Sequence, residues 1–120
     1  MKKVLIVDDQ AEVRELVRVT LEVTDYMILT AENGWQALEV ALRERPDLVL
    51  LDVMMSEGPD GLEVCQQLKS GGSQSPIVVM LTARGQELDK EAGYAAGADD
   101  YFVKPFSPLE VIRKVDELLA

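Results

Sequence analysis

The chain has 120 residues, and 48% of them are apolar, which is enough for the core of one domain and too many for a disordered segment. Its net charge of −10 argues against direct binding of nucleic acid, because phosphate backbones attract an excess of Lys and Arg. The absence of His and the single Cys exclude histidine-based catalysis, most zinc sites and an internal disulfide. Apolar runs are too short for a membrane span or a signal peptide, so we expect a cytoplasmic protein.

Five short strands are predicted along the chain. They are KVLIVD (3–8), a weaker YMILTA (26–31), DLVLLD (47–52), PIVVMLT (76–82) and DYFVK (100–104). Most of them are continuous runs of Val, Ile and Leu rather than alternating patterns, which indicates strands that are covered on both faces. We therefore expect these strands to form the buried centre of the domain.

A helix is predicted after each strand. The first carries an apolar stripe of Val13, Leu16, Val17, Thr20 and Leu21, and the others cover 33–44, 61–69, 85–96 and 107–119. Asn33 and Asp60 are predicted N-caps, whereas Gly93 interrupts the helix over 85–96. Residues 69–76 are read as a polar loop.

Regular alternation of strands and helices is typical of an α/β fold with a parallel sheet and right-handed crossovers. We predict one domain over residues 1–120. It is a doubly wound, flavodoxin-like sheet of five strands in the order 2-1-3-4-5, flanked by five helices. In such a sheet, ligands bind beyond the carboxyl ends of the strands.

Polar side chains stand at these carboxyl ends. They are Asp8 and Asp9 after strand 1, Asp52 after strand 3, Thr82 after strand 4 and Lys104 after strand 5. Each has an ordinary explanation when it is taken alone: Asp9 as a helix cap, for example, or Lys104 as a solvated strand end. Their conjunction is what indicates a functional site.

Three carboxylates at one edge repel one another, since two unit charges about 4 Å apart cost roughly 4 kcal/mol at an effective dielectric near 20. Lys104 supplies only one positive charge, so a cation is expected. A site of oxygen ligands without His or Cys suits Mg²⁺. With Mg²⁺, Lys104 and Thr82 stabilising phosphoryl oxygens, Asp52 is a candidate nucleophile that forms an acyl phosphate.

The sequence closely resembles the receiver domain of bacterial two-component response regulators over essentially its whole length. The resemblance rests on VLIVDDQ (4–10), LVLLDVMM (48–55), VVMLTA (78–83) and GADDYFVKPF (97–106), with AENGWQALE (31–39) as weaker support. Four such segments in order and at the family's spacing are a specific signal. The resemblance implies a phosphorylation-dependent switch rather than a turnover enzyme, although such a domain promotes its own phosphorylation and the hydrolysis of its aspartyl phosphate.

By this resemblance, Asp52 is the phosphoacceptor for a phosphohistidine of a sensor kinase or phosphotransfer protein. Asp9, Asp52 and the backbone carbonyl of Met54 would bind Mg²⁺ directly, and Asp8 would act mainly through water. The family also assigns roles to four residues in or directly after strands 4 and 5. These are Thr82 and Tyr101 as switch residues, Lys104 as the phosphoryl partner, and Pro105 as the residue that follows a cis peptide bond.

Two features depart from the family pattern or vary within it. The loop after the acceptor reads DVMMSEGPDG, with Ser56 where Pro is usual and one extra residue before Asp60, so its outer shape is not predicted. Met54 and Arg84 lie two residues beyond Asp52 and Thr82, where the family's side chains tune the lifetime of the phosphoryl group. We expect both residues to slow hydrolysis.

Partners follow from the same resemblance. We expect an output domain or protein to bind the face formed by helix 85–96, strand 100–104 and helix 107–119, with Leu109 as a contact and a homodimer as one form. Neither a membrane nor direct nucleic acid is expected as a partner. The sequence leaves open the kinase, the output, and whether the chain acts alone or is part of a longer regulator.

Three other classes of protein are consistent with part of this pattern. A phosphatase of the haloacid dehalogenase type also uses an Asp nucleophile, but it places D-x-D after its first strand, whereas Asp8 and Asp9 are adjacent here. An FMN carrier needs a phosphate loop at this place, and the two carboxylates would repel the phosphate. A receiver-like module that binds partners without phosphorylation is disfavoured because all five site residues are present.

Overall fold

A computed structural model describes residues 1–83 and 87–120. The strands are β1 (Lys3–Val7), β2 (Met27–Ala31), β3 (Leu48–Asp52), β4 (Ile77–Ala83) and β5 (Asp100–Lys104). The helices are α1 (Ala11–Leu21), α2 (Gly34–Glu44), α3 (Gly61–Lys69), α4 (Glu87–Ala95) and α5 (Pro108–Leu119). A short 3-10 helix, Gly72–Gln74, lies within the segment predicted as a loop.

The five strands form one parallel sheet in the order β2-β1-β3-β4-β5, which confirms the predicted topology. Successive residues of β1 belong to different cores: Leu5 lies in the core on one face and Ile6 in the core on the other. Helices α1 and α5 contribute to one core, whereas α2 and α3 contribute to the other. The continuous apolar runs therefore reflect a sheet that is buried on both faces.

Among the helix starts that the structure describes, three begin at a side chain that accepts a backbone hydrogen bond. Asn33 caps α2, as predicted, and Asp60 caps α3 with a reciprocal bond from the Glu63 side chain to its own backbone. Ser107 caps α5 in the same reciprocal way. Helix α1 is different, because Gln10 occupies its N-cap position and provides no side-chain bond. Asp9 is therefore not the cap of this helix.

Two details of helix packing differ from the sequence interpretation. Leu16 belongs to the apolar stripe of α1 but is 48% exposed, because α5 and the sheet cover only the part of the stripe that includes Val17 and Leu21. Gly93 does not interrupt α4. A Cβ at this position would lie 3.1 Å from Cγ of Met80, so the glycine lets the helix approach β4 closely.

Among the described residues, we find no helix whose length and apolar character would allow it to span a bilayer.

Candidate metal and phosphoryl site

The parallel register brings the carboxyl ends of four strands to one edge of the sheet. Val7 pairs with Leu51, and Asp52 pairs with Leu81 on the neighbouring strand. Ala83 in turn pairs with Lys104. The residues at these ends, which were predicted as a site because they follow apolar runs, are therefore neighbours in space.

The three carboxylates form one cluster. Each of Asp8, Asp9 and Asp52 offers an oxygen within 4.8 Å of the others, an arrangement that suits a hard cation. Asp8 is fully buried and Asp52 is 6% exposed, whereas Asp9 lies at the exposed rim. In the described part of the chain, the buried polar or charged residues are Asp8, Asp52 and Thr82, and all three lie at this edge.

Lys104 contacts two of the three carboxylates. Its Nζ lies 2.7 Å from Oδ2 of Asp8 and 3.5 Å from Oδ1 of Asp52. The other oxygen of Asp8 accepts the backbone N–H of Gln10 at 2.9 Å. The guanidinium of Arg14 donates to the backbone carbonyl of Asp8 at 2.7 Å. Asp8 is therefore well bonded, and a single ammonium, that of Lys104, lies beside both Asp8 and Asp52.

Burial raises the pKa of Asp52 to about 6, and the neighbouring Asp8 carboxylate adds to this effect. Lys104 and the backbone N–H of Met54 act in the opposite direction, and the repulsion from Asp9 adds a smaller increase. A raised pKa means that the ionised carboxylate is unfavourable in this environment, and a cation bound beside it would stabilise the ionised form. The chemistry of the donor set and the raised pKa thus fit a divalent metal.

The predicted switch residues lie behind this cluster. Thr82 is 1% exposed, and its hydroxyl donates to the backbone carbonyl of Phe102 at 3.2 Å. Tyr101 is partly buried on the next strand, and its ring meets the ring of Tyr94 edge to face at 5.9 Å. The hydroxyl of Thr82 is thus bonded to β5, the strand that carries Tyr101.

Comparison with known proteins identifies the family. The family model of the response regulator receiver domain matches residues 4–116. The chain belongs to this family.

Among curated relatives of this receiver domain, the transcriptional regulatory protein ResD of Bacillus subtilis is 48% identical over 117 residues, 98% of this chain and 48% of that protein. The phosphate regulon transcriptional regulatory protein PhoB of Pseudomonas aeruginosa is 44% identical over 119 residues, 98% of this chain and 52% of that protein. The chain spans about half the length of these curated relatives. Among solved structures, the Vibrio cholerae chemotaxis protein CheY4 has a TM-score of 0.89 at 33% identity, with 98% of both chains covered.

Two other residues assigned from the receiver family, Met54 and Pro105, follow strands that end at the cluster. Met54 follows β3 closely and is 63% exposed. The Lys104–Pro105 peptide bond is cis. Arg84 lies outside the described residues, so its proposed effect on the phosphoryl lifetime rests on the sequence.

The loop after β3, which departs from the usual receiver sequence, packs against the site. The backbone N–H of Ser56 donates to Oδ2 of Asp9 at 3.2 Å. At the end of the loop, a Cβ on Gly61 would lie 2.1 Å from the backbone oxygen of Asp52, so only glycine fits there. The bond to Asp9 was not predictable from the sequence, because a backbone donor is independent of side-chain type. Arg14 was also missed, although a cation in the first turn of the helix after Asp8 and Asp9 was a usable hint.

Proposed function

We propose that this chain is a single receiver domain over residues 1–120 that acts as a phosphorylation-dependent switch in the cytoplasm. Asp52 would accept a phosphoryl group from the phosphohistidine of a sensor kinase or phosphotransfer protein. The observation that carries this proposal is the group of three carboxylates with oxygens within 4.8 Å, one of them nearly buried beside Lys104.

Asp52 has the environment of a nucleophile. A carboxylate oxygen would attack phosphorus as the bond to the donor's imidazole nitrogen breaks, and the electron pair of that bond leaves with the imidazole. Attack requires the ionised acid, and a pKa of about 6 keeps most of Asp52 ionised at neutral pH. Only 6% of Asp52 is exposed, so little of its surface is accessible, and we expect the donor to approach from the exposed rim at Asp9.

Asp9, Asp52 and the carbonyl of Met54 would hold Mg²⁺, with Asp8 acting through water. When bound, the ion supplies positive charge beside the phosphoryl oxygens. Lys104 would supply the second positive charge, since its Nζ is already 3.5 Å from Oδ1 of Asp52. A phosphoryl group on that oxygen would compete with Asp8 for the same ammonium.

The switch would follow from the same competition for donors. Phosphorylation would favour a state in which the Thr82 hydroxyl leaves the carbonyl of Phe102 and donates to the phosphoryl group, while Tyr101 moves inward. This change would reach the face formed by α4, β5 and α5. Leu109, which is 55% exposed on this face, is a candidate contact for an output domain, an output protein or a second copy.

We also propose that the domain promotes its own phosphorylation from small donors and the later hydrolysis of the acyl phosphate, without turning over a separate substrate. Incubation with acetyl phosphate and Mg²⁺, followed by intact mass, should show one added phosphoryl group. A chelator or Asp52→Asn should abolish it, and Asp25→Asn, the same change at an exposed site, should have no effect.

Two outcomes would favour other functions. Unmodified protein under all these conditions would favour a binding module that works without phosphorylation. Steady release of phosphate from an added phosphomonoester, with many turnovers per protein, would favour a phosphatase.

A further inference from the structure

Trp35 is the only tryptophan of the chain, and its side chain is 64% exposed, yet it has a specific contact. A Cβ built on Gly58 would lie 2.9 Å from Cδ2 of Trp35, and 3.2 Å from both Cε2 and Cε3. Cδ2 is bonded to three other ring atoms, so no atom outside the indole can approach it within the plane of the ring. Gly58 therefore lies over the face of the indole. The backbone of Gly58 has φ of +75°, a conformation that favours glycine. Position 58 is therefore restricted twice, by its backbone and by the indole.

The residue before Trp35 touches the same loop. A Cβ on Gly34 would lie 2.1 Å from the backbone oxygen of Pro59, so the first turn of α2 packs directly on the loop backbone. Two adjacent residues of the helix thus contact two adjacent residues of the loop. Gly34 meets Pro59, and Trp35 meets Gly58. This contact fixes the loop on the side that faces α2.

The other side of this loop contacts the acidic cluster. Ser56 donates its backbone N–H to Asp9, and Gly61 lies against the backbone of Asp52. Met54, whose carbonyl is the proposed metal ligand, lies at the start of the same segment. The segment from Met54 to Gly61 therefore connects the indole of Trp35 to the proposed metal site through a short stretch of backbone.

We propose that Trp35 is a positioning residue for the metal site. Its indole holds Gly58, which keeps the Ser56 N–H at Asp9 and orders the backbone at Met54, whose carbonyl is the proposed metal ligand. This inference rests on the proposed function, because it assumes that the acidic cluster binds Mg²⁺. It gives a role to an exposed aromatic side chain and to the extra residue of the loop, since the contact depends on where Gly58 falls along the segment.

The test is calorimetric titration of Mg²⁺ into the wild type and three variants. Trp35→Ala should weaken Mg²⁺ binding about five-fold, because the loop must be ordered as the ion binds. Trp35→Phe should restore binding to within about two-fold of the wild type, since a smaller aromatic ring can still cover Gly58. Leu42→Ala, at an 81% exposed position on the same helix, is the matched control and should bind Mg²⁺ like the wild type.

A second readout uses Trp35 itself. Mg²⁺ should change the fluorescence of the wild type, and Asp9→Ala should remove this change, because the emission of the only tryptophan reports the loop that touches it. Melting of the metal-free variants measures any general loss of stability separately from the binding constant.

The possible failures are distinguishable. If the wild type does not bind Mg²⁺, both the proposed function and this inference are wrong. If the wild type binds it and Trp35→Ala binds it equally well, or Leu42→Ala loses as much affinity, only the role of Trp35 is overturned. Unchanged fluorescence of the wild type at saturating Mg²⁺ would also count against a coupled loop.

Discussion

The two ends of the sheet differ in how their carboxylates are buried and paired. At the amino end, Lys3 donates its backbone N–H to Asp47 at 2.8 Å and its Nζ to Glu44, whose side chain is 31% exposed. Each carboxylate there has its own donor. At the carboxyl end, Asp8 and Asp52 are nearly buried and share the ammonium of Lys104.

This difference indicates which end was shaped by function. The amino end shows that the fold can close its strand ends with partly exposed carboxylates that each have a donor, an arrangement that costs little free energy. Buried carboxylates without enough positive charge lower stability, and nothing in the packing of the cores requires them. The carboxylates at the carboxyl end therefore repel one another in the metal-free protein, and a bound cation would relieve this repulsion. We refer to this unfavourable electrostatic free energy as charge strain.

The largest expected effect on stability comes from removing Lys104 at the carboxyl end, and the same change at Lys3 of the amino end is its comparison. Lys104→Met should lower the metal-free free energy of unfolding by about 3 kcal/mol, because it leaves Asp8 buried without its ion pair. Lys3→Met should cost about 0.5 kcal/mol, since its pair with Glu44 is partly exposed. Urea denaturation of both variants measures the difference. Equal losses would contradict the contrast between the two ends.

The next effect is on the pH dependence of stability. The folded pKa of Asp52, about 6, lies above its usual value of 3.8, so the folded state binds the proton more tightly than the unfolded state. Stability of the metal-free protein should therefore fall as pH rises from 4 to 7, by on the order of 2 kcal/mol from this group. Glu44 has a lowered pKa, so its contribution to stability changes with pH in the opposite direction. Subtracting the stability curve of Asp52→Asn from that of the wild type isolates the contribution of Asp52. Parallel curves for the two proteins would exclude the proposed charge strain at Asp52.

A smaller effect is expected from Asp9→Ala, which removes one of the repelling carboxylates. The metal-free melting temperature should rise by about 3 °C, and Mg²⁺ should then raise it much less than it raises that of the wild type. Asp25→Ala, at an exposed position outside the cluster, is the control. Differential scanning calorimetry with and without Mg²⁺ measures both. The same Mg²⁺ response in wild type and Asp9→Ala would refute binding at this cluster.

The smallest effect concerns the lifetime of the acyl phosphate. Met54→Asn should shorten it about three-fold, because an amide can orient water beside the phosphoryl group and a thioether cannot. Met27→Asn, at a 42% exposed position near the amino end of β2, should leave it unchanged. Loss of phosphoryl label over time at fixed Mg²⁺ measures both. A lifetime of Met54→Asn equal to or longer than that of the wild type would remove Met54 as a brake.

The fold and the members of the candidate site were predictable from the sequence. Apolar runs that end in Asp8, Asp52, Thr82 and Lys104 mark strand ends, and a parallel sheet brings strand ends together. Each strand end can be recognised from a few neighbouring residues. The order of the strands in the sheet then places these residues side by side.

The contacts around the site were not predictable. The hydroxyl of Thr82 donates to Phe102, and Trp35 packs on Gly58; both contacts join distant segments, and both depend on side-chain direction and loop length. The exposure of Leu16 was missed for a related reason, because an apolar stripe does not show how much of it a neighbouring helix covers.

The most direct test of the central claim is to locate the phosphoryl group chemically. Protein treated with acetyl phosphate and Mg²⁺ would be reduced with borohydride, which converts an aspartyl phosphate to homoserine and leaves a phosphoserine or phosphothreonine intact. We expect peptide mapping to find homoserine at position 52 and at no other position. Phosphate retained on Ser56 or Thr82, with Asp52 unmodified, would contradict the assignment of Asp52 as the acceptor.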